Sequence, residues 1–209
     1  MEESPLIHYI WGSYVIFSRC FINMNPLKLY MLLLGCKPPG RHIEQHDIFF
    51  GIAAELRDLI PEIQQFWPGP QKIHIDAWRE VTQVDGFQIK VLARENNEIS
   101  HQAPRLFFIN LGGYQENKFE EQHYNLLTVK VNRSAAYQEA KQTLFFRDNH
   151  FPGAESHIDD KYGIDVDDLY EIEEMLSPVQ KEKYLIELLP AESFQDDIIN
   201  LGYFKLSSL

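Results

Sequence analysis

Two stretches of this chain are the same stretch written twice, and the polar triplets inside them survive better than the apolar residues around them. Lys28-Leu29-Tyr30-Met31-Leu32-Leu33-Leu34-Gly35 aligns without a gap on Arg105-Leu106-Phe107-Phe108-Ile109-Asn110-Leu111-Gly112. The same offset of 77 (123 minus 46) carries Glu44-Gln45-His46 onto Glu121-Gln122-His123. A short loop insertion then raises the offset to 83 (157 minus 74), placing His74-Ile75-Asp76 on His157-Ile158-Asp159, and Asp85 and Ile89 on Asp168 and Ile172. Self-similarity in a fixed order marks duplicated supersecondary structure. The chain is therefore expected to fold as pseudo-symmetric halves, residues 28–92 superposing on 105–175.

Each copy opens with a continuous apolar run, Leu29 to Leu34 and Leu106 to Leu111, which reads as a buried strand ended by Gly35 or Gly112. A second strand follows in each: Ile48, Phe50, Ile52 and Ala54 in one, and Leu127, Val129 and Val131 alternating with polar residues in the other. Ser134 to Phe146 reads as a helix capped by Asn132, with Ala136, Ala140 and Leu144 on one side. In the first copy the corresponding helix either starts at Pro61 or tolerates it in the first turn. Lys72 to Asp76 is the third strand, Asp85-Gly86 a hairpin turn and Phe87 to Leu92 the fourth strand, with Asp167-Asp168 replacing that turn in the second copy. Ser177-Pro178 starts a short helix to Lys183, and Tyr184 to Leu189 and Leu201 to Leu206 close the fold.

These elements predict an α+β protein made of strand-strand-helix-strand-strand units, with mostly antiparallel sheet and a pseudo-two-fold. The divisions are residues 1–26 as an N-terminal extension, 27–94 and 105–176 as the repeats, 95–104 as a linker, and 177–209 as a closing segment.

Composition narrows the function. With 44% apolar residues in 209, the chain can bury a substantial core. A formal charge of -12, spread through both halves, disfavours nucleic acid and anionic membrane surfaces as partners. Cys20 and Cys36 form neither a disulfide framework nor a zinc knuckle, which fits a reducing cytoplasm. The apolar segment Leu6 to Phe17 is too short to span a bilayer, and Glu2 and Glu3 stand where a signal peptide carries positive charge. No P-loop, GxGxxG, GxSxG or HExxH pattern occurs.

The chain also resembles the bacterial proteins carrying the domain of unknown function 1543. The resemblance rests on Leu34-Gly35 through Lys37-Pro38-Pro39-Gly40-Arg41, Glu44-Gln45-His46-Asp47, His74-Ile75-Asp76-Ala77-Trp78-Arg79, Phe108 to Tyr114, Ala154 to Gly163 and Leu201 to Leu206. It covers about Met24 to Leu206 and implies duplicated, soluble domains with no assigned activity or catalytic residue. Residues 1–23 stand outside the pattern, and Met24 is an equally good start.

The triplets carry what chemistry the residues offer. On strands, Glu44 and His46 share one face and His74 and Asp76 another. Adjacent strands would bring two imidazoles and two carboxylates together, a shell suited to a divalent metal such as zinc, manganese or iron. The second copy would repeat it with Glu121, His123, His157 and Asp159. Charge-assisted hydrogen bonds that merely hold two strands together are the competing reading. Lys37, Arg41 and Arg79 offer positive charge for an anionic small molecule, against a competing reading as a solvated turn and surface ion pairs. Asp159, Asp160, Asp165, Asp167 and Asp168 invite a calcium reading but fail the EF-hand spacing, and read rather as a solvated turn. The leading function is a module binding a small ligand or metal. The alternatives are a metal-assisted hydrolase or isomerase, with His46 or His123 as base or ligand, and a scaffold or homo-oligomer without a small-molecule site.

Overall fold

The computed structural model describes residues 26–67, 72–94, 104–114, 117, 119–142, 164–193 and 195–209. It is mixed α and β with antiparallel sheets. The first apolar run is β1 (Lys28–Cys36), paired along its length with β2 (Gln45–Ala53) on one side and β3 (His74–Glu80) on the other. Between β2 and β3 lie a 3₁₀ turn (Leu56–Leu59) and helix α1 (Ile60–Phe66), with Pro61 in its first turn as the sequence predicts. The second run is β6 (Arg105–Tyr114), flanked in the same way by β7 (Glu121–Lys130) and β8 (Ile164–Glu171). Helix α2 (Arg133–Ala140) follows β7, and the Asn132 side chain accepts from the Ala135 amide as its cap. The part of the predicted helix beyond Gln142 lies outside the described residues.

Alternation along β1 decides the layers. Tyr30, Leu32, Leu34 and Cys36 face outward from the molecule's centre into a core with Leu59, Ile63 and Ile75. The opposite face, Leu29 with Met31, meets Phe50 and Ile52 of β2 and the equivalent face of the second sheet, Leu106, Phe108 and Val129. Phe50 and Phe108 touch edge to face, 5.7 Å between centroids. On the far side of the second sheet, Phe107, Ile109 and Leu111 pack on Ala136 and Ala140 of α2. Two sheets thus lie face to face, each covered outside by its own helix, and the central layer is shared.

The remaining elements tie the halves together. The two-residue turn Asp85-Gly86 joins β4 (Gln83–Val84) to β5 (Phe87–Ala93), with φ of 51° and 77° at its centre. These positive φ values are the hairpin geometry that Asp-Gly favours. Asp85 accepts from Thr128 Oγ1 at 2.7 Å, Val129 N at 2.9 Å and Lys130 Nζ at 3.0 Å, a clamp on the other half. After α3 (Ile172–Met175), Ser177 caps α4 (Pro178–Lys183) by accepting from Gln180 N. Strand β9 (Tyr184–Pro190) pairs with β5, and β10 (Asn200–Lys205) pairs with β3. Both closing strands therefore complete sheets begun in the first half. Buried Gln180 bonds both backbone groups of Ile52 at 3.0 Å, satisfying the outer edge of β2.

Two correspondences expected from the sequence do not hold in the fold. Asp85 and Ile89 do not correspond to Asp168 and Ile172, because Asp85 sits in a turn and Ile89 in β5, whereas Asp168 lies within β8 and Ile172 opens α3. Asp165, Asp167 and Asp168 are strand residues, not a solvated turn, so they do not replace the Asp85-Gly86 hairpin. A run of acidic residues outweighed the alternation Ile164, Val166 against Asp165, Asp167, which is the period of a strand.

Candidate functional site

At the turn end of the first sheet, Gly35 of β1 is flanked by His46 on β2 and His74 on β3. Glu44 lies just before β2, two residues from His46 and thus on the same face. Asp76 reaches that face through a β-bulge: Gly35 pairs with His74 and Leu34 with Ile75, but Leu33 pairs with Ala77, so Asp76 has no partner across the ladder. Such an extra residue re-aims a side chain. The two imidazoles and two carboxylates thereby meet above a glycine.

The four side chains close a ring in which each carboxylate offers one oxygen to each imidazole. His74 Nε2 is 3.3 Å from Glu44 Oε1 and 3.2 Å from Asp76 Oδ1, and His46 Nε2 is 3.2 Å from Asp76 Oδ2 and 3.8 Å from Glu44 Oε2. His74 is 3% exposed, and its ring stacks on Tyr203 of β10 with centroids 4.2 Å apart. Its Nε2 and Asp76 Oδ2 are buried yet have no hydrogen-bond partner. The contacts are close but not aimed along hydrogen-bond directions, and an unmet buried polar atom costs about 1–3 kcal/mol. A Cβ on Gly35 would overlap His74 Nε2 and stand 2.5 Å from Asp76 Oδ2, so glycine is what leaves the space open. As the side chains stand, no group of three or more His, Cys, Asp or Glu among the described residues could hold a metal ion.

The second sheet repeats the frame with different residues. Gly112 pairs with His123, the same partner that Gly35 has in His46, and His123 Nε2 lies 3.8 Å from Glu121 Oε2. Across β8, however, Gly112 pairs with Asp165, and the residue skipped by the bulge between Asn110 and Leu111 is Asp167. The register counterparts of His74 and Asp76 are therefore Asp165 and Asp167, not His157 and Asp159 as the sequence alignment has it. His157 and Asp159 lie outside the described residues. The matching string His-Ile-Asp drew the alignment; strand pairing sets the correspondence at an offset of 91 (165 minus 74).

The three cations do not gather. Lys37 and Arg41 are exposed in the turn after β1, whereas Arg79 pairs with Met31, four positions down β1 from Gly35, with its Nη2 3.4 Å from Met31 Sδ. Burial lowers the Arg79 guanidinium from its ordinary value, and Asp197 partly offsets this. The sequence reading also missed Gly35 and Tyr203. Glycine ending an apolar strand in both copies was the available signal for the first; nothing local marks the second.

Among the described residues no helix is long and apolar enough to cross a membrane. No curated protein matches the chain. Its fold is similar to that of the crystal structure of a protein Il1583 from Idiomarina loihiensis, with 22% identity, a TM-score of 0.57, and coverage of 86% of this chain and 97% of that one. The chain is similar over residues 41–91, the stretch that holds Glu44, His46, His74 and Asp76, to the family described as Domain of Unknown Function (DUF1543).

Proposed function

We propose that the protein is a small-ligand-binding module whose site is the Glu44, His46, His74 and Asp76 ring above Gly35. The observation that carries this reading is the pair of buried atoms His74 Nε2 and Asp76 Oδ2, which have no hydrogen-bond partner and both border the space that a Cβ on Gly35 would fill. Folding alone gains nothing by leaving them unmet, whereas a ligand supplying the missing partners would repay the cost. The reading includes a common origin for the two halves, supported by their shared register at Gly35 and Gly112. In the second half the register is retained and the residues across Gly112 from His123 differ, so the proposed site belongs to the first sheet.

Stability of ligand-free Asp76→Asn protein tests the reading against a structural pin. A binding site loses no stability, or gains some, when one of two neighbouring carboxylates is neutralised. A charge-assisted pin loses roughly 1.5–3 kcal/mol, and a loss of that size in urea unfolding rejects the proposal.

A further inference from the structure

We infer that the ring takes a divalent transition-metal ion, with His46 Nε2, His74 Nε2 and one oxygen each from Glu44 and Asp76 as ligands. This rests on the binding-site reading above and names its occupant.

Four arguments converge. The donor set is two imidazole nitrogens and two carboxylate oxygens, which zinc and its neighbours accept and which magnesium and calcium, as oxygen-seeking ions, do not favour. Donors at 2.0–2.2 Å from a tetrahedral centre stand about 3.3–3.6 Å from one another. Three of the four sides of the ring, which run through different oxygens of each carboxylate, measure 3.2–3.3 Å, at or just below the short end of that range, and the fourth, between His46 and Glu44, 3.8 Å. That wider side joins the two exposed members, whose side chains are 45% and 41% accessible, so it is both the way in and the part free to close. The other two ligands are held: His74 by burial and by the Tyr203 ring, Asp76 by the bulge.

Hydrogen bonding agrees with the geometry. His74 Nε2 is buried with carboxylate oxygens at 3.2 and 3.3 Å and makes a hydrogen bond to neither. A buried ring nitrogen without a hydrogen bond beside two carboxylates is available as a ligand. Gly35 provides the floor on which the ion would rest.

Calorimetric titration of chelator-treated full-length protein with zinc chloride, and separately with manganese chloride, tests the inference. The expected result is one saturable site in the wild type, weakened at least about tenfold in His46→Ala and in Gly35→Ala. His123→Ala should stay within about twofold of wild type, because the ion is bound at the first sheet. His46 is exposed, so its loss leaves the fold in place; a circular dichroism spectrum checks this for each variant. Absence of saturable binding by either metal in the wild type overturns the metal assignment. Binding that His46→Ala leaves unchanged also overturns it, since the metal then sits elsewhere. The two proposals part company in the Asp76→Asn measurement: unchanged apo stability with no metal bound leaves the site and removes its occupant, whereas a large loss removes both.

Discussion

The two central sheets pair their strands in the same register and differ in the residues found at the same positions. At identical register, β1 is pinned to β3 by Lys28 and Glu80 at 2.7 Å, and β6 to β8 by Arg105 and Glu171 at 2.9 Å. Both central strands place a glycine between a histidine and the third strand, and both third strands carry a bulge there. Yet the matching register positions on the third strand are His74 and Asp76 in one sheet and Asp165 and Asp167 in the other. The register is held by the shared apolar layer, because a slip of one residue would turn a buried face to water. The polar row at the strand ends is under no such constraint. It is where the halves can diverge in chemistry without changing fold.

The largest expected effect probes the layer that both sheets share. Phe50→Ala should cost about 3–5 kcal/mol, and unfolding should remain a single cooperative transition followed equally by tryptophan fluorescence and circular dichroism. Two separated transitions would show that the halves are independent and break the comparison. Next, His74→Ala should cost about 2 kcal/mol or more by emptying a buried ring position against Tyr203. His123→Ala, at a side chain 49% accessible, should change stability by less than about 0.5 kcal/mol. Equal effects in chemical denaturation would mean that the two histidines have one role.

A smaller effect belongs to the clamp between halves. Burial pushes the Asp85 carboxyl up, but the Thr128 hydroxyl, the Val129 amide and the Lys130 ammonium together outweigh it, leaving Asp85 below its ordinary 3.8. A depressed carboxyl contributes stability that is fully present above the unfolded value and lost as pH falls through the folded one. Asp85→Ala should therefore destabilise by about 1–2 kcal/mol at neutral pH, discounted for its partial exposure. The difference from wild type should fade below pH 3.8. A difference that persists undiminished in acid would remove the clamp from the account. The smallest effects are the matched ion pairs: Lys28→Met and Arg105→Met should each cost under about 1 kcal/mol and by similar amounts. A strong inequality would show that the two frames are not held alike.

Much of this was legible in the chain, and the failures have a common cause. Apolar runs located β1 and β6, and side-chain caps located α2 and α4, because burial and capping act over a few residues. The convergence of Glu44, His46, His74 and Asp76 followed from alternation and a guess at strand adjacency. What escaped was nonlocal. The bulge that lifts Asp76 out of the ladder, the pairing of β9 and β10 with strands of the first half, and the stacking of Tyr203 on His74 depend on partners far away in sequence. The mistaken pairing of Asp76 with Asp159 shows the hazard: three matching letters looked stronger than the weaker but correct alternation of Asp165 and Asp167.

The most direct measurement of the central claim is anomalous diffraction at the zinc absorption edge from crystals of the full chain grown with zinc. The account predicts a peak above Gly35, about 2.0–2.2 Å from His46 Nε2, His74 Nε2 and one oxygen each of Glu44 and Asp76. A quartet closed on itself by well-aimed imidazole-to-carboxylate hydrogen bonds, with no peak between them, would contradict it.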